Sequence, residues 1–242
     1  MQYLLTPLHA HFDAGFGATG NAFYDAAESL DGSKETMKGN LFNANLPVNF
    51  LYRHAIELFL KSAIVILHRR FNLPYGAAAS DSEPMVLVGA TWKPFNKVHS
   101  ISLLWTYVEQ LFLDHAAWLA EHPKPEVWKF SESIDQQVQT IEAGDPRSTF
   151  FRYPTTKNIK ADAAKSSMKE VSEASFIEAM TKSSDADPKG FGMIVKDDDG
   201  GFVKGYVYED ESGEALNQAL RQAAQYFYNL HAAMRWEICG GA

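Results

Sequence analysis

The chain is poor in the features that most readily announce a function. Of its 242 residues one is cysteine, Cys239, which excludes a disulfide framework and a cysteine-rich zinc site. Positive charge is in the minority: 22 Lys and Arg stand against 30 Asp and Glu, a net charge of −8. Broad duplex binding needs a basic face that releases counterions, so it is not expected; a local basic groove remains compatible with this balance. No long apolar run is present. The stretch from Ala55 to Leu67 is interrupted by Glu57 and Lys61 and is too short to span a bilayer. The start, Met1 to Asp13, has neither a basic nor a long apolar region, so no signal peptide is expected. What is abundant is core material, with 46% hydrophobic and 13% aromatic residues, and that excludes global disorder. The expectation is a cytoplasmic, globular chain forming a single domain over 1–242, with no membrane association, no metal and no cofactor.

Periodicity predicts a mainly α fold. Helices are expected over Asn21–Leu30, Val48–Phe71, Ser100–Glu121 and Gly213–Ile238. Pro47 is a helix-start signal and Ser100 an N-cap, and Pro123 stops the third helix. In the last helix Leu216, Leu220, Ala223, Phe227, Leu230 and Met234 alternate steps of three and four and make one buried stripe. Glu126–Ala143 reads as a further helix and Ala161–Thr181 as an amphipathic one. Met85–Val88 and Thr91–Trp92 read as short extended pieces. Phe191–Lys196 and Phe202–Tyr208, separated by Asp-Asp-Asp-Gly-Gly, read as a β-hairpin. The whole is a helical bundle with a late insertion, residues 155–210, that carries the hairpin. No βαβ alternation argues for a doubly wound sheet.

Three short patterns have a chemical reading and a plainer one. Gly15 to Gly20 fits G-x-G-x-x-G, but phosphate cradling needs a strand before the glycines, and Thr6–Ala14 with Pro7 does not read as one; a flexible loop before a helix is preferred. His9-Ala-His11 with Asp13 resembles the first-strand metal motif of the metal-dependent amidohydrolases. The eight-fold strand–helix alternation of that barrel is absent, so two exposed histidines are preferred. Asp197-Asp-Asp-Gly200 would need a bidentate acid at its twelfth position to hold calcium, and that position is Tyr208; a solvated hairpin turn is preferred.

Two features are more informative. On the second helix Arg53, His54, Glu57, Lys61 and His68 share one narrow arc, while almost everything else is apolar. Such a polar line is a thin solvent-facing strip, an internal ion-pair ladder through Arg53–Glu57 and Glu57–Lys61, or the wall of a cleft. Further on, Asp145-Pro-Arg-Ser-Thr-Phe-Phe-Arg152-Tyr-Pro154 packs an acid, two arginines and two hydroxyls into ten residues. Arginine offers a planar fork for carboxylate or phosphate, and a salt bridge docking this loop onto the bundle, with Glu57 as its partner, is the competing reading. The two features are expected to meet in space as one polar spot.

The run Phe50 to Lys61, then His99 ahead of Leu103 and Leu104, then Asp145-x-x-Ser148-x-x-Phe151-Arg-Tyr-Pro154, resembles a pattern in bacterial helical proteins similar to the HEPN superfamily. The resemblance covers residues 45–155. It implies a helical bundle, often paired as a homodimer, that binds a nucleotide, RNA or a protein partner in toxin–antitoxin and phage-defence settings. The nuclease branch carries Arg, four to six residues, then His, and no arginine of this chain is followed by His at that spacing. A non-catalytic binding role is therefore expected, with Arg53, Glu57, Lys61, Asp145, Ser148, Arg152 and Tyr153 as binding residues. The alternative is a divergent ribonuclease in which His54 or His99 acts as general acid or base and Arg152 or Lys61 steadies the phosphate. A third reading makes the stripe and the loop architecture alone.

Overall fold

The computed structural model describes residues 6–32, 43–121, 128–155, 159–182, 192–209 and 213–241. It is mainly α, with two small antiparallel sheets. The helices are α1 (Phe16–Gly32), α2 (Asn45–Phe71), α3 (Ile101–Asp114), α4 (Ala116–Ala120), α5 (Glu132–Gly144), α6 (Ile159–Lys165), α7 (Glu173–Lys182) and α8 (Glu214–Glu237). The strands are β1 (Met85–Val88), β2 (Thr91–Pro94), β3 (Met168–Val171), β4 (Gly192–Lys196) and β5 (Phe202–Tyr208). Among the described residues no helix is long and apolar enough to cross a membrane.

The bundle is organised around α2. Its 27 residues span roughly 40 Å at 1.5 Å per residue, and they are buried on nearly every side from Val48 to His68. An apolar circumference of this kind needs neighbours all round: α1, α3 and α8 pack on α2, and α5 closes against α3 and α8. Each large aliphatic or aromatic side chain sealed in this way contributes about 1.5–3 kcal/mol. The predicted stripe of α8 is largely realised, with Leu220, Ala223, Phe227, Leu230 and Met234 buried. Trp105 of α3 meets Phe227 edge-on at 5.3 Å and Phe130 at 4.8 Å. α2 ends where Asn72 adopts a left-handed conformation (φ 52°) and its amide caps Arg69 and His68 carbonyls.

Several boundaries differ from expectation. α1 begins five residues early, because Asp13 caps its N-terminus. The Ser100–Glu121 helix breaks at His115, whose Nδ1 turns back to the Leu111 carbonyl at 2.9 Å. The helix predicted over Ala161–Thr181 is instead α6, β3 and α7. β3 is drawn out of the helical pattern because it pairs with β5, giving a sheet in the order β3-β5-β4. α7 lies on this sheet, where Gly192 and Gly205 leave space for Phe176 and Met180. The hairpin β4–β5 is present. In its turn Asp197 Oδ1 accepts from the amides of Gly201 at 2.6 Å and Asp199 at 3.1 Å. The part of the hairpin assigned to Phe191, and the helix stop at Pro123, lie outside the described residues.

Candidate functional site

The centre of α2 carries a buried ionic hub. Glu57, 2% exposed, receives three partners. Lys61 Nζ lies 2.7 Å from Oε1, His99 Nδ1 lies 3.0 Å from the same oxygen, and Arg53 NH1 lies 3.4 Å from Oε2. The spacing of Arg53, Glu57 and Lys61 by four residues stacks them on one face, as the sequence implied. Arg53 reaches further: its Nε is 3.1 Å from Asp145 Oδ2, and NH2 donates to the carbonyls of Asp145 at 3.0 Å and His99 at 2.8 Å. One guanidinium therefore ties α2 to the segment before α3 and to the loop after α5. Asp145 in turn holds that loop through Oδ1, which accepts from the amides of Thr149 at 2.8 Å and Phe150 at 3.0 Å. Ser148 is buried at a positive φ of 56° within the turn.

Electrostatics follow from these contacts. Burial pushes the Glu57 carboxyl upward, but the Lys61 charge and the hydrogen bonds from Lys61 and His99 more than reverse it, so its pKa falls below the ordinary value. Burial lowers Arg53, and the Asp145 and Glu57 carboxylates oppose that shift. Two cations and two anions balance inside the hub, which is what makes such burial tolerable.

The hub opens to solvent at one residue. His99 donates Nδ1–H to a carboxylate, which fixes its tautomer, and its side chain is 40% exposed. The ring lines a cleft of about 230 Å³ with Lys93, Lys97, Ser100, Leu103 and Arg147. Lys93, Lys97 and Arg147 are all exposed. Among the described residues no acidic side chain lines the cleft, although Glu142 Oε2 accepts from the Ser102 amide nearby at 3.2 Å. This arrangement can hold an anion with three cations and an imidazole whose orientation is set from behind.

The expected meeting of the α2 stripe with the Asp145–Pro154 loop is present, but Asp145 makes it and Arg152 does not. Arg152 is exposed, with its guanidinium over the Phe50 ring at 5.4 Å, and it forms no ion pair with Glu57. Tyr153 is 56% exposed and uses its carbonyl to accept from Lys165 at 2.9 Å. His54 turns away from the hub into a different environment, edge-on to Phe23 at 4.4 Å and parallel to Phe50 at 5.9 Å. Its Nδ1 is buried without a hydrogen-bond partner, and burial lowers its pKa. His68 leaves the stripe as well: Nδ1 bonds the Leu73 carbonyl at 3.0 Å and Nε2 the Tyr107 hydroxyl at 2.7 Å. Thus Arg53, Glu57, Lys61, Asp145 and Ser148 are buried framework behind His99, and Arg152, Tyr153 and His54 stand apart. Lys93, Lys97 and Arg147 were missed as site residues; the signal was two lysines and a histidine within seven positions.

A second buried cluster was not foreseen. Asp13 Oδ2 accepts from Ser62 Oγ at 2.7 Å and from the Gly17 amide at 2.6 Å, and Oδ1 accepts from the Gly15 amide at 2.9 Å. His231 Nδ1 sits 3.2 Å from Ser62 Oγ. The three residue types are those of a hydrolase triad, but the order is wrong. Serine lies between the acid and the imidazole, its one proton goes to Asp13, and it is fully buried. The glycines of the G-x-G-x-x-G pattern serve packing here. A Cβ on Gly17 would lie 2.0 Å from His231 Cε1, and one on Gly20 would lie 2.8 Å from the Phe59 ring. Of the His9–His11 pair, His11 is buried, with Nε2 3.1 Å from the Thr6 carbonyl, so the expectation of two exposed histidines holds only for His9. Among the described residues no group of three His, Cys, Asp or Glu side chains could hold a metal ion.

Comparison with known proteins returns no neighbour: no family model, no curated protein and no solved structure matches the chain.

Proposed function

We propose that this is a HEPN-like helical-bundle protein that binds the phosphate of a nucleotide or of RNA in the His99 cleft, as a non-catalytic component of a bacterial defence or toxin–antitoxin module. The observation that carries the reading is the construction of His99. A buried carboxylate holds its ring, and Lys93, Lys97 and Arg147 line the same cleft, with no acid among its described lining residues. In an acidic protein, a local patch of one sign concentrates anionic ligands. The module assignment rests on the resemblance of the motifs alone.

The test is fluorescence anisotropy with a single-stranded oligoribonucleotide, with a nucleoside monophosphate as competitor, over a range of salt. Wild type should bind, and the triple variant K93A/K97A/R147A should bind more weakly. Its salt dependence should be shallower by about two units of log–log slope, at roughly 0.7 per lost phosphate contact. Absence of RNA and nucleotide binding by wild type, or an unchanged slope in the variant, rejects the reading.

The Glu57–His99 pair favours one second reading, a divergent ribonuclease. A carboxylate-oriented imidazole beside cations has the parts for general acid–base attack by a 2′-hydroxyl. RNA cleavage by wild type that His99→Ala abolishes, with binding retained, would establish it over the non-catalytic role.

A further inference from the structure

A second cavity, of about 270 Å³, lies on the other side of the Asp145–Pro154 loop, among the N-terminal ends of α2 and α8 and the C-terminal end of α5. Small-molecule sites typically run from about 300 Å³ upward, so the cavity suits a ligand of nucleoside size or smaller. Leu46, Leu216, Phe150 and Phe151 make apolar walls. Phe150 and Phe151 meet edge-on at 5.0 Å, and Lys165 Nζ lies 4.8 Å from the centre of the Phe150 ring, which leaves Phe151 as the aromatic wall. The Lys165 charge is already met by Asp162 at 2.8 Å and the Tyr153 carbonyl at 2.9 Å, so the cavity is not built for an anion.

Its polar lining includes Asn43, Asn45 and Ser167, and a buried amide pair. Asn49 and Asn217, 4% and 7% exposed, join two helices through a hydrogen bond from Asn49 Nδ2 to Asn217 Oδ1 at 2.5 Å. An amide carries both a donor and an acceptor, so this bond uses one group of each residue. Asn49 Oδ1 and Asn217 Nδ2 remain, an acceptor and a donor on two residues that line the cavity. If both amides were rotated, one donor and one acceptor would still remain. Two buried side chains held in this way at an apolar cavity resemble one edge of a base pair: they match a planar ring that presents its own donor beside its own acceptor.

We propose that this cavity binds a nucleobase, with its hydrogen-bonding edge on Asn49 and Asn217 and its ring between Phe151 and the Leu46–Leu216 wall. The site is separate from the His99 cleft and does not rest on phosphate binding there.

The experiment is titration of the full-length protein with uridine, cytidine, adenosine and inosine, followed by protein NMR. It is repeated with the counterpart of the tightest binder whose donor nitrogen is methylated until it carries no hydrogen: once on the ring nitrogen of uridine or inosine, twice on the exocyclic amine of cytidine or adenosine. Nucleosides carry no phosphate, so the result is independent of Lys93, Lys97 and Arg147. At least one nucleoside should bind saturably, and methylation should weaken it by about tenfold or more, since a site built around paired groups rejects an analogue that leaves them unmet. Asn217→Asp, which keeps the shape and removes the donor, should weaken it similarly. Absence of binding by all four nucleosides, equal binding of the methylated form, or undiminished binding by folded N217D overturns the proposal. If N217D does not fold, the methyl comparison in wild type decides.

Discussion

Two buried polar clusters hang from one helix five residues apart, and they solve the same problem differently. At Glu57 two cations and two anions neutralise one another, and a partly exposed histidine leads out to a basic cleft. At Ser62 a single carboxylate is met by a hydroxyl and two backbone amides at the start of α1, and Asp13, Ser62 and His231 are each no more than 3% exposed. The second cluster contains the residue types of a catalytic triad, all of them buried. The first has no familiar triad and reaches solvent through His99. Residue type and burial alone do not mark a site; the useful discriminator is whether a buried group orients a side chain that reaches solvent.

The comparison is tested most strongly by deleting each acceptor or donor at its centre. Glu57→Ala leaves Arg53 and Lys61 buried without their shared counter-charge, and should lower stability by about 3–5 kcal/mol in urea denaturation. Ser62→Ala leaves Asp13 with its two amide donors, and should cost about 1–3 kcal/mol. A smaller loss for Glu57→Ala than for Ser62→Ala would show that the hub is hydrated and that its charges are not held as described.

The contrast also explains what the sequence disclosed. The i,i+4 spacing of Arg53, Glu57 and Lys61 is local, so periodicity alone makes the ladder one of the readings of the stripe. The contact of Arg53 with Asp145 was legible only as two polar features needing partners, and the loop was expected to dock through a salt bridge to Glu57, whereas it docks through its acid onto Arg53. Ser62 joins Asp13 and His231 across 49 and 169 residues. No periodicity spans such separations, so that cluster was invisible and the glycines packed against it looked like a loop. β3 was misread for a related reason: the spacing of Met168, Val171, Ile177 and Met180 fits a helical face, and the pairing of β3 with β5 overrides it.

A pH series separates the two clusters again. Burial, partly opposed by Asp13, lowers His231 from 6.5 to about 4. Between these values the unfolded chain binds a proton that the folded chain refuses, so unfolding free energy rises with pH there. The contribution is complete above about pH 6.5 and declines as the pH falls toward 4. Burial shifts His54 and His68 in the same direction. Glu57 is depressed from 4.5, so the hub's contribution is intact above 4.5 and is lost only as the pH falls through the lower folded value. Urea midpoints should therefore drop between pH 6.5 and 4.5 in wild type and drop less in His231→Gln. An identical slope in both proteins would remove the sealed cluster from the account of acid sensitivity.

The smallest stability effect is expected at the residue given the most functional weight. His99→Ala removes a half-exposed ring from Glu57, which keeps Lys61 at 2.7 Å and Arg53 at 3.4 Å. A hydrogen bond with one partly solvated partner is worth about 1 kcal/mol, so the melting temperature should shift slightly. His231→Ala opens a void beside Gly17 and removes a partner of Ser62, and should shift it several times further. In anisotropy the ranking reverses: His99→Ala should weaken RNA or nucleotide binding, and any His231→Ala protein that remains folded should bind like wild type. A histidine that can be deleted at little cost to the fold, yet is held by a buried carboxylate, is what separates an orienting hub from an architectural one. If His99→Ala proved as destabilising as His231→Ala and left binding unchanged, the two clusters would be the same kind of object.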